Sequence, residues 1–257
     1  MFPSSLLGPL LLAIVGRSSA LNFTIAGGQI FTPGFAIVDA PQPDTPLGGD
    51  LLEVALDVSA NGKLALPPYP DNSESRIHNI TIFLYSYGTG KNFTITNGTA
   101  TANNASLGDI MLSEPGSTVK HVKWTWPDCL VGNGQPSAAD SDRGLYNISI
   151  RQNFRLNGAD HYTIFDLPIS VTNSIESNLL RPACDSLNNP LLTPEEVTIS
   201  GANDVPVLFA PGDSTQVQSS GGGSAKPGQG LGSGSPPTWH TEAYWVCIAG
   251  LAAAFWL

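Results

Sequence analysis

Histidine and acidic side chains are the groups in this chain that could act as acids, bases or metal ligands. No two histidines lie three to five residues apart, the spacing at which paired zinc ligands often occur; they are His78, His121, His161 and His240. No Gly-x-Ser-x-Gly elbow accompanies the acid–base combination of His161 and Asp166. The sequence therefore predicts no catalytic residues, no metal site and no cofactor.

Carboxylates are numerous enough to suggest one reaction, glycoside hydrolysis. They include Glu53, Asp57, Asp128, Asp140, Asp142, Asp160 and Asp166. Hydrolysis needs two carboxyl groups held about 5 to 10 Å apart in a cleft. Sequence spacing does not locate such a pair, so turn and surface roles are the simpler interpretation. A carbohydrate-active enzyme stays as the alternative.

Two tryptophans could bind sugars by stacking. On a strand, Trp124 and Trp126 project to one face together with Val122, and Lys123 and Thr125 project to the other. Exposed indole rings would form a contact surface for glycan, whereas buried rings would be core. The nearby Cys129 favours the core interpretation, and the glycan contact is kept as the second one.

Residues 1–20 have the pattern of a cleaved signal peptide. An apolar stretch from Leu6 to Val15 is followed by the small residues Ser18, Ser19 and Ala20. This stretch is about ten residues long, too short for a helix that spans a bilayer. We therefore expect the chain to be secreted after removal of residues 1–20.

The opposite end has the pattern of a lipid-attachment signal. Residues 243–257 carry no charge, and as a helix they would span about 22 Å against roughly 30 Å of hydrocarbon. A cluster of small residues and a polar stretch precede them, the order found in glycosylphosphatidylinositol (GPI) signals. The pattern predicts attachment at Gly232 or Ser233, with residues 236–257 as the propeptide. A tail-anchored single span is the alternative.

The cysteines predict one disulfide. Cys247 would leave with the propeptide, so that Cys129 and Cys184 remain as an even pair in an oxidising compartment. A bond between them would close a loop of about 55 residues and stabilise the fold by roughly 4 kcal/mol. We expect this bond to tie a later segment of the chain to the main domain.

Acceptor sequences for N-glycosylation are frequent. They occur at Asn79, Asn92, Asn97, Asn104 and Asn147. A further one at Asn22 lies next to the expected cleavage site. Each acceptor needs a side chain that reaches solvent. Asn79 and Asn147 lie within strand-like runs and should therefore point away from the core.

Composition favours an all-β chain and excludes nucleic-acid binding. The chain has 27 Gly, 21 Pro and a formal charge of −10, with no basic cluster that could neutralise phosphates. Runs of alternating or β-branched residues predict seven strands. Their ranges are 35–38, 51–58, 77–87, 92–96, 121–126, 145–154 and 162–172. Turn clusters separate these runs, and Asn157-Gly158 predicts a hairpin.

One local pattern points to an immunoglobulin-like antiparallel β-sandwich. Asp142, Gly144 and Tyr146 match the Asp-x-Gly-x-Tyr corner, in which the tyrosine hydroxyl bonds back to the backbone. Ile148 stands where such domains carry a cysteine. The sequence thus predicts the corner without the inter-sheet disulfide of that fold.

Domain boundaries follow from changes in composition. The expected units are a signal peptide (1–20), a β-sandwich domain (21–175), a disulfide-tied extension (176–210), a flexible stalk rich in Gly, Ser and Pro that carries the GPI site (211–235), and the propeptide (236–257). The stalk would hold the domain away from a membrane.

Three phrases of the chain carry a resemblance to known sequences. They are GSTVKHVKWTWPDCLVG, RGLYNISIRQNFRLNG and YTIFDLPISVTNSI. Over about residues 30–175 the chain resembles a group of secreted, GPI-anchored fungal surface proteins without an assigned activity. The resemblance implies a location and a β-sandwich, and it brings no functional residues.

These observations predict a non-enzymatic glycoprotein of the cell surface or cell wall, with a binding, adhesion or structural role. The expected location is the extracellular face of the plasma membrane or the wall, through a GPI lipid. Expected partners are the membrane, and cell-wall glycan or another surface protein, but not nucleic acid. The alternative is an enzyme that remodels cell-wall polysaccharide.

Overall fold

Strands dominate the described part of the chain. A computed structural model describes residues 23–96, 108–136, 138, 140–200 and 205–218. Its strands are β1 (Thr24–Ala26), β2 (Gln29–Phe31), β3 (Ile37–Ala40), β4 (Thr45–Leu47), β5 (Leu51–Asp57), β6 (Arg76–Ser86), β7 (Lys91–Thr96), β8 (Val119–Thr125), β9 (Gly144–Leu156) and β10 (Ala159–Val171). The α-helices are short: α1 (Gly108–Leu112), α2 (Cys184–Leu187) and α3 (Pro194–Ile199).

The strands form two five-stranded sheets. The first has the order β1-β2-β3-β5-β8, and the second has the order β4-β10-β9-β6-β7. All neighbouring strands are antiparallel except β4, which runs parallel to β10. The prediction of a mostly β chain is confirmed, and two sheets that share a core are compatible with the expected sandwich. The short strands β1, β2 and β4 were missed by the sequence pattern.

A tight turn and strict alternation build the longest hairpin. β9 and β10 pair over thirteen residues each, and Asn157 and Gly158 join them with φ of 52° and 86°. Positive φ at both positions is what a type I′ turn requires, so the predicted hairpin is confirmed. In β6, Ile80, Ile82 and Leu84 are fully buried, because alternate residues of a strand project to the same face.

The two tryptophans belong to the core. Trp126 is fully buried and Trp124 is 9% exposed. Their rings meet edge to face at 5.8 Å, and Phe93 lies 6.0 Å from Trp124. The glycan contact suggested for these residues is therefore wrong, because a ring enclosed by other side chains has no free face for a sugar.

A buried glutamine joins the two sheets. Gln152 of β9 accepts from the Ala36 N–H at 2.8 Å and donates to the Thr32 hydroxyl at 3.1 Å. A Cβ at Gly34 would lie 2.5 Å from the Gln152 side-chain oxygen, so this close approach requires glycine. The loop between β2 and β3 is thereby fixed on β9.

The expected disulfide ties a long extension to the sandwich. Cys129 and Cys184 are bonded, with their Cα atoms 5.9 Å apart. Further along, Phe209 stacks on Phe35 with ring centroids 5.3 Å apart.

Within the described ranges, no helix is long and apolar enough to cross a bilayer.

Residues 211–218 do not behave as the start of a flexible stalk. Lys63 Nζ donates to the Thr215 carbonyl at 3.2 Å. The Asn157 amide donates to the Gln216 carbonyl at 2.8 Å and accepts from the Gln218 N–H at 2.8 Å. The rest of the predicted stalk, the signal peptide, the GPI residues Gly232 and Ser233, and the propeptide lie outside the described residues.

Removing the disulfide should destabilise the domain strongly. We expect the double variant Cys129→Ala/Cys184→Ala to lose about 4 kcal/mol of unfolding free energy, because the unfolded chain regains the freedom of a long loop. Urea denaturation followed by tryptophan fluorescence measures the loss. Ser186→Ala, on the neighbouring exposed helix position, is the control and should stay near wild type. An unchanged midpoint in the double variant would contradict a stabilising role for this bond.

Candidate functional site

An open cleft lies at one end of the second sheet. It has a volume of about 640 Å³, within the range of small-molecule sites. Its walls come from the loop between β3 and β4, the turn after β6, the loop before β9, the first residues of β9 and the end of β10. Tyr87 and Leu145, which are 49% and 79% exposed, supply apolar surface. Ser141, Gln135 and Thr89 supply polar groups.

The predicted tyrosine corner forms part of the cleft wall. The Tyr146 hydroxyl donates to the Asp142 carbonyl at 2.5 Å and lies 3.1 Å from the Thr89 hydroxyl. Burial raises the pKa of Tyr146 to about 12, so the phenol stays neutral and can donate. Lys91 pairs with the Asp142 carboxylate at 3.4 Å. These contacts join the turn after β6 to the start of β9.

The cleft carries little available charge. The Arg143 guanidinium donates to the backbone carbonyls of Leu130, Gly134 and Asn173, so its N–H groups are used within the protein. Asp44 is the one carboxylate among the described lining residues, and it is exposed. A neutral ligand rich in hydroxyl groups suits such a surface better than an anion does.

The cleft lies far from the place where the described chain ends. Gln218 is bonded to Asn157 in the β9–β10 turn, whereas Leu145 is at the other end of β9. Twelve residues of strand separate them, which is about 40 Å at roughly 3.3 Å per residue. The cleft and the last described residue thus occupy opposite poles of the domain.

A second polar cluster is enclosed on the outer face of the same sheet. The Tyr85 hydroxyl donates to an Asp166 carboxylate oxygen at 2.9 Å. Leu191, Leu192 and Val197 of the extension cover these groups and leave about 10 Å³, room for one water. The Tyr87 hydroxyl donates to the Leu192 carbonyl at 3.0 Å, which holds the cover in place.

Burial controls the acidity of this cluster. Burial raises the pKa of the Asp166 carboxyl, and the Ser149 and Tyr85 hydroxyls and the Arg151 charge oppose the shift. Burial, together with the Asp166 charge, also raises the pKa of the Tyr85 phenol. The cluster can bind a proton, but its cover leaves no space for a substrate.

Most polar residues singled out in the sequence are paired at separate places. His161 stacks on Phe154 at 5.3 Å, on the opposite face of β10 from Asp166, because the two are an odd number of residues apart. His78 lies 3.1 Å from Asp160, and His121 lies 3.1 Å from Glu114. The structure therefore does not bring these side chains together as one acid–base set.

Asp128, Cys129 and Cys184 lie close enough together to resemble a metal site. The two sulfur atoms are bonded to each other, so neither is a thiolate ligand. Asp128 Oδ1 accepts from the Cys184 N–H at 3.0 Å. The three residues form a structural joint between the extension and the loop after β8.

The acceptor asparagines have different environments. Asn147 is half-buried and lines the cleft, which agrees with its expected outward direction. Asn79 also lies on the outer face, but it is 7% exposed and accepts from the Asn153 amide at 2.8 Å. The surroundings of Asn22, Asn97 and Asn104 lie outside the described residues.

Asn92 is held by the extension. It is 4% exposed, its side-chain amide donates to the Pro190 carbonyl at 2.8 Å, and its backbone N–H donates to the Asn188 side chain at 2.8 Å. The Asn189 amide donates to the Asn92 carbonyl at 3.0 Å and to the Thr94 hydroxyl at 2.9 Å. Both side chains that define the acceptor sequence are thus engaged. The solvent-facing position that glycosylation needs is absent here, which contradicts the prediction for Asn92.

The cleft and the cover of the polar cluster were not predicted from the sequence. The residues that line the cleft come from separate turns and strand ends, so no local sequence motif predicts that they lie together. The pair Asn188-Asn189 before Pro190 was the available signal for the contact with β7, since asparagine side chains often bond to backbone. No protein family, curated protein or solved structure matches this chain.

Asn92 should be unmodified in the folded, secreted protein. A sugar on its amide would need the space that residues 188–190 occupy, so modified chains cannot make this contact. Peptide mapping by mass spectrometry should find Asn92 without glycan. Asn189→Ala should lower the unfolding free energy by about 2 kcal/mol, because it removes the side-chain hydrogen bonds to the Asn92 and Leu187 carbonyls and to the Thr94 hydroxyl. Ser186→Ala should change it little. Full occupancy of Asn92 in a protein of normal stability would contradict this.

Asp166 should make stability fall as pH rises. Its folded pKa lies above its unfolded pKa, so its contribution is complete below the unfolded value of about 3.9 and is lost as pH rises through the folded value. Asp166→Asn should remove this loss, as measured by urea denaturation from acid to neutral pH. Asp160 is the control with the opposite sign, because hydrogen bonds from His78 and Arg155 lower its pKa. The contribution of Asp160 to stability is therefore lost as pH falls. Equal pH profiles for the Asp166→Asn and wild-type proteins would refute the role of burial at Asp166.

Proposed function

We propose that this protein is a non-enzymatic glycoprotein of the cell surface or cell wall, attached at its C-terminal end through a GPI lipid. Its role is to bind or adhere, with the cleft-bearing pole as the contact surface. The resemblance to secreted, GPI-anchored fungal proteins supports the location. The tyrosine corner at Tyr146 supports an immunoglobulin-like arrangement of the sandwich.

The opposite positions of the cleft and of Gln218 carry the proposal. The described chain ends at the Asn157 turn, and the residues that follow contain the expected lipid-attachment site. If the chain continues from this pole to a membrane, the cleft at the opposite pole faces away from that membrane. That orientation suits contact with a wall polymer or with a protein on another surface.

The chemistry of the cleft favours binding over hydrolysis. Tyr87 and Leu145 offer exposed apolar surface beside neutral polar groups, a combination that suits the faces and hydroxyls of sugars. Hydrolysis requires two carboxyl groups, and Asp44 is the single one among the described lining residues. Wall-polymer binding is therefore the proposed activity, and polysaccharide hydrolysis is the alternative outcome of the test.

The test measures binding and turnover on the same polymers. The purified chain should bind to β-glucan, chitin or mannan and release no reducing ends. Leu145→Asp should weaken binding about tenfold, since about 1.4 kcal/mol corresponds to that factor. Leu180→Asp, which changes an exposed leucine that does not line this cleft, should bind as wild type does. Turnover that disappears in Asp44→Asn would favour the enzyme.

The anchor is tested on membranes. Phosphatidylinositol-specific phospholipase C should release the full-length protein, and deletion of residues 243–257 should send it to the medium. The lipid is the expected attachment because the apolar tail is shorter than a bilayer span. Retention after both treatments would refute the GPI anchor but would leave the binding measurement standing.

A further inference from the structure

Asn147 is the described acceptor asparagine that lies at the cleft. On β9 it pairs with Tyr85 of β6 on one side and with Pro168 of β10 on the other. Its side chain is partly exposed and lines the cleft. Asn79 and Asn92 are both nearly buried, so Asn147 is the one of these three that has space beside it.

The surface around Asn147 suits the base of a glycan. Leu145 precedes it by two residues on the same face of β9, and Leu145 and Tyr87 expose apolar surface toward the cleft. Thr89 and Ser141 add hydroxyl groups. An N-linked core is neutral and carries both apolar faces and hydroxyls, which matches this lining.

We propose that Asn147 carries an N-glycan whose first N-acetylglucosamine residues lie in the cleft against Leu145 and Tyr87. The inference rests on the proposed function insofar as that function brings the chain into the secretory route. The donor is a lipid-linked oligosaccharyl diphosphate. The Asn147 Nδ2–C1 bond forms as the bond from C1 to the diphosphate oxygen breaks, one Nδ2 proton is lost, and the lipid diphosphate leaves.

Covalent attachment makes weak contacts sufficient. A ligand tethered beside its site has an effective concentration in the millimolar range, so the sugar residues need little intrinsic affinity to stay seated. The seated sugars would cover the apolar surfaces of Leu145 and Tyr87, so the polymer-binding assay proposed above reports on these side chains only in protein produced without this glycan. The outward surface of this pole would then consist of sugar and protein together, and that composite surface would meet the wall or partner.

The experiment compares release of the glycan from native and denatured protein. The full chain is expressed in a eukaryotic host that glycosylates, and peptide-N-glycosidase F removes N-glycans at a rate that depends on access. The Asn147 glycan should leave native protein at least about tenfold more slowly than denatured protein, as a 1.4 kcal/mol preference for the seated state predicts. Leu145→Asp should remove most of this difference without changing occupancy. Leu180→Asp should retain it.

A stability measurement separates seated sugars from a glycan that is merely present. Endoglycosidase H trimming leaves one N-acetylglucosamine on Asn147 and should preserve thermal stability. Asn147→Gln abolishes the acceptor sequence and should lower it. Absence of glycan at Asn147, or equal release rates from native and denatured protein, would overturn the proposal. Neither result affects the phospholipase test, so a failure here is distinct from a failure of the proposed anchor.

Discussion

The free edge of β7 is the constraint on which much of this structure depends. β7 ends the second sheet, and among the described strands it pairs with β6 alone. Its other edge would expose unpaired backbone groups without the isolated antiparallel bridge between Phe93 and Asn188. Residues 188–190 cover that edge through the Asn92 and Asn189 hydrogen bonds. The Cys129–Cys184 bond holds the chain just before residues 188–190 close to this edge of β7. A covalent bond and a short polar contact therefore replace a further strand.

The same contact determines which outer surfaces of the sheet remain available. From Pro190 the chain passes over Asp166 and Tyr85, where Leu191, Leu192 and Val197 enclose the carboxyl. The cover does not reach the end of the sheet at which Leu145 and Asn147 line the open cleft. One part of the outer face is thereby a closed, proton-binding cluster, and the adjoining part is a surface for contact.

The acceptor asparagines show how tertiary contacts separate identical local signals. Asn79, Asn92 and Asn147 each head the same type of tripeptide in a strand. Asn92 is enclosed because a segment almost a hundred residues later uses its amide. Asn147 keeps access to solvent because no later segment crosses it among the described residues. The modification that a sequon allows therefore depends on which distant chain segment occupies its side of the sheet.

The sequence was sufficient to predict the mostly β character, the Asn157-Gly158 hairpin, the tyrosine corner and the disulfide pair. The strands, the hairpin and the corner follow from residue alternation and turn conformation, which act over short distances. The disulfide follows from the two cysteines of the expected mature chain, Cys129 and Cys184, and needs no knowledge of distances. The three-dimensional structure was needed to establish that Trp124 and Trp126 are core and that Asn92 is enclosed. It was also needed to show that residues 211–218 lie on the domain and that a cleft forms around Asn147. Each of these depends on packing between segments far apart in the chain, and side-chain type does not encode which distant segment will arrive.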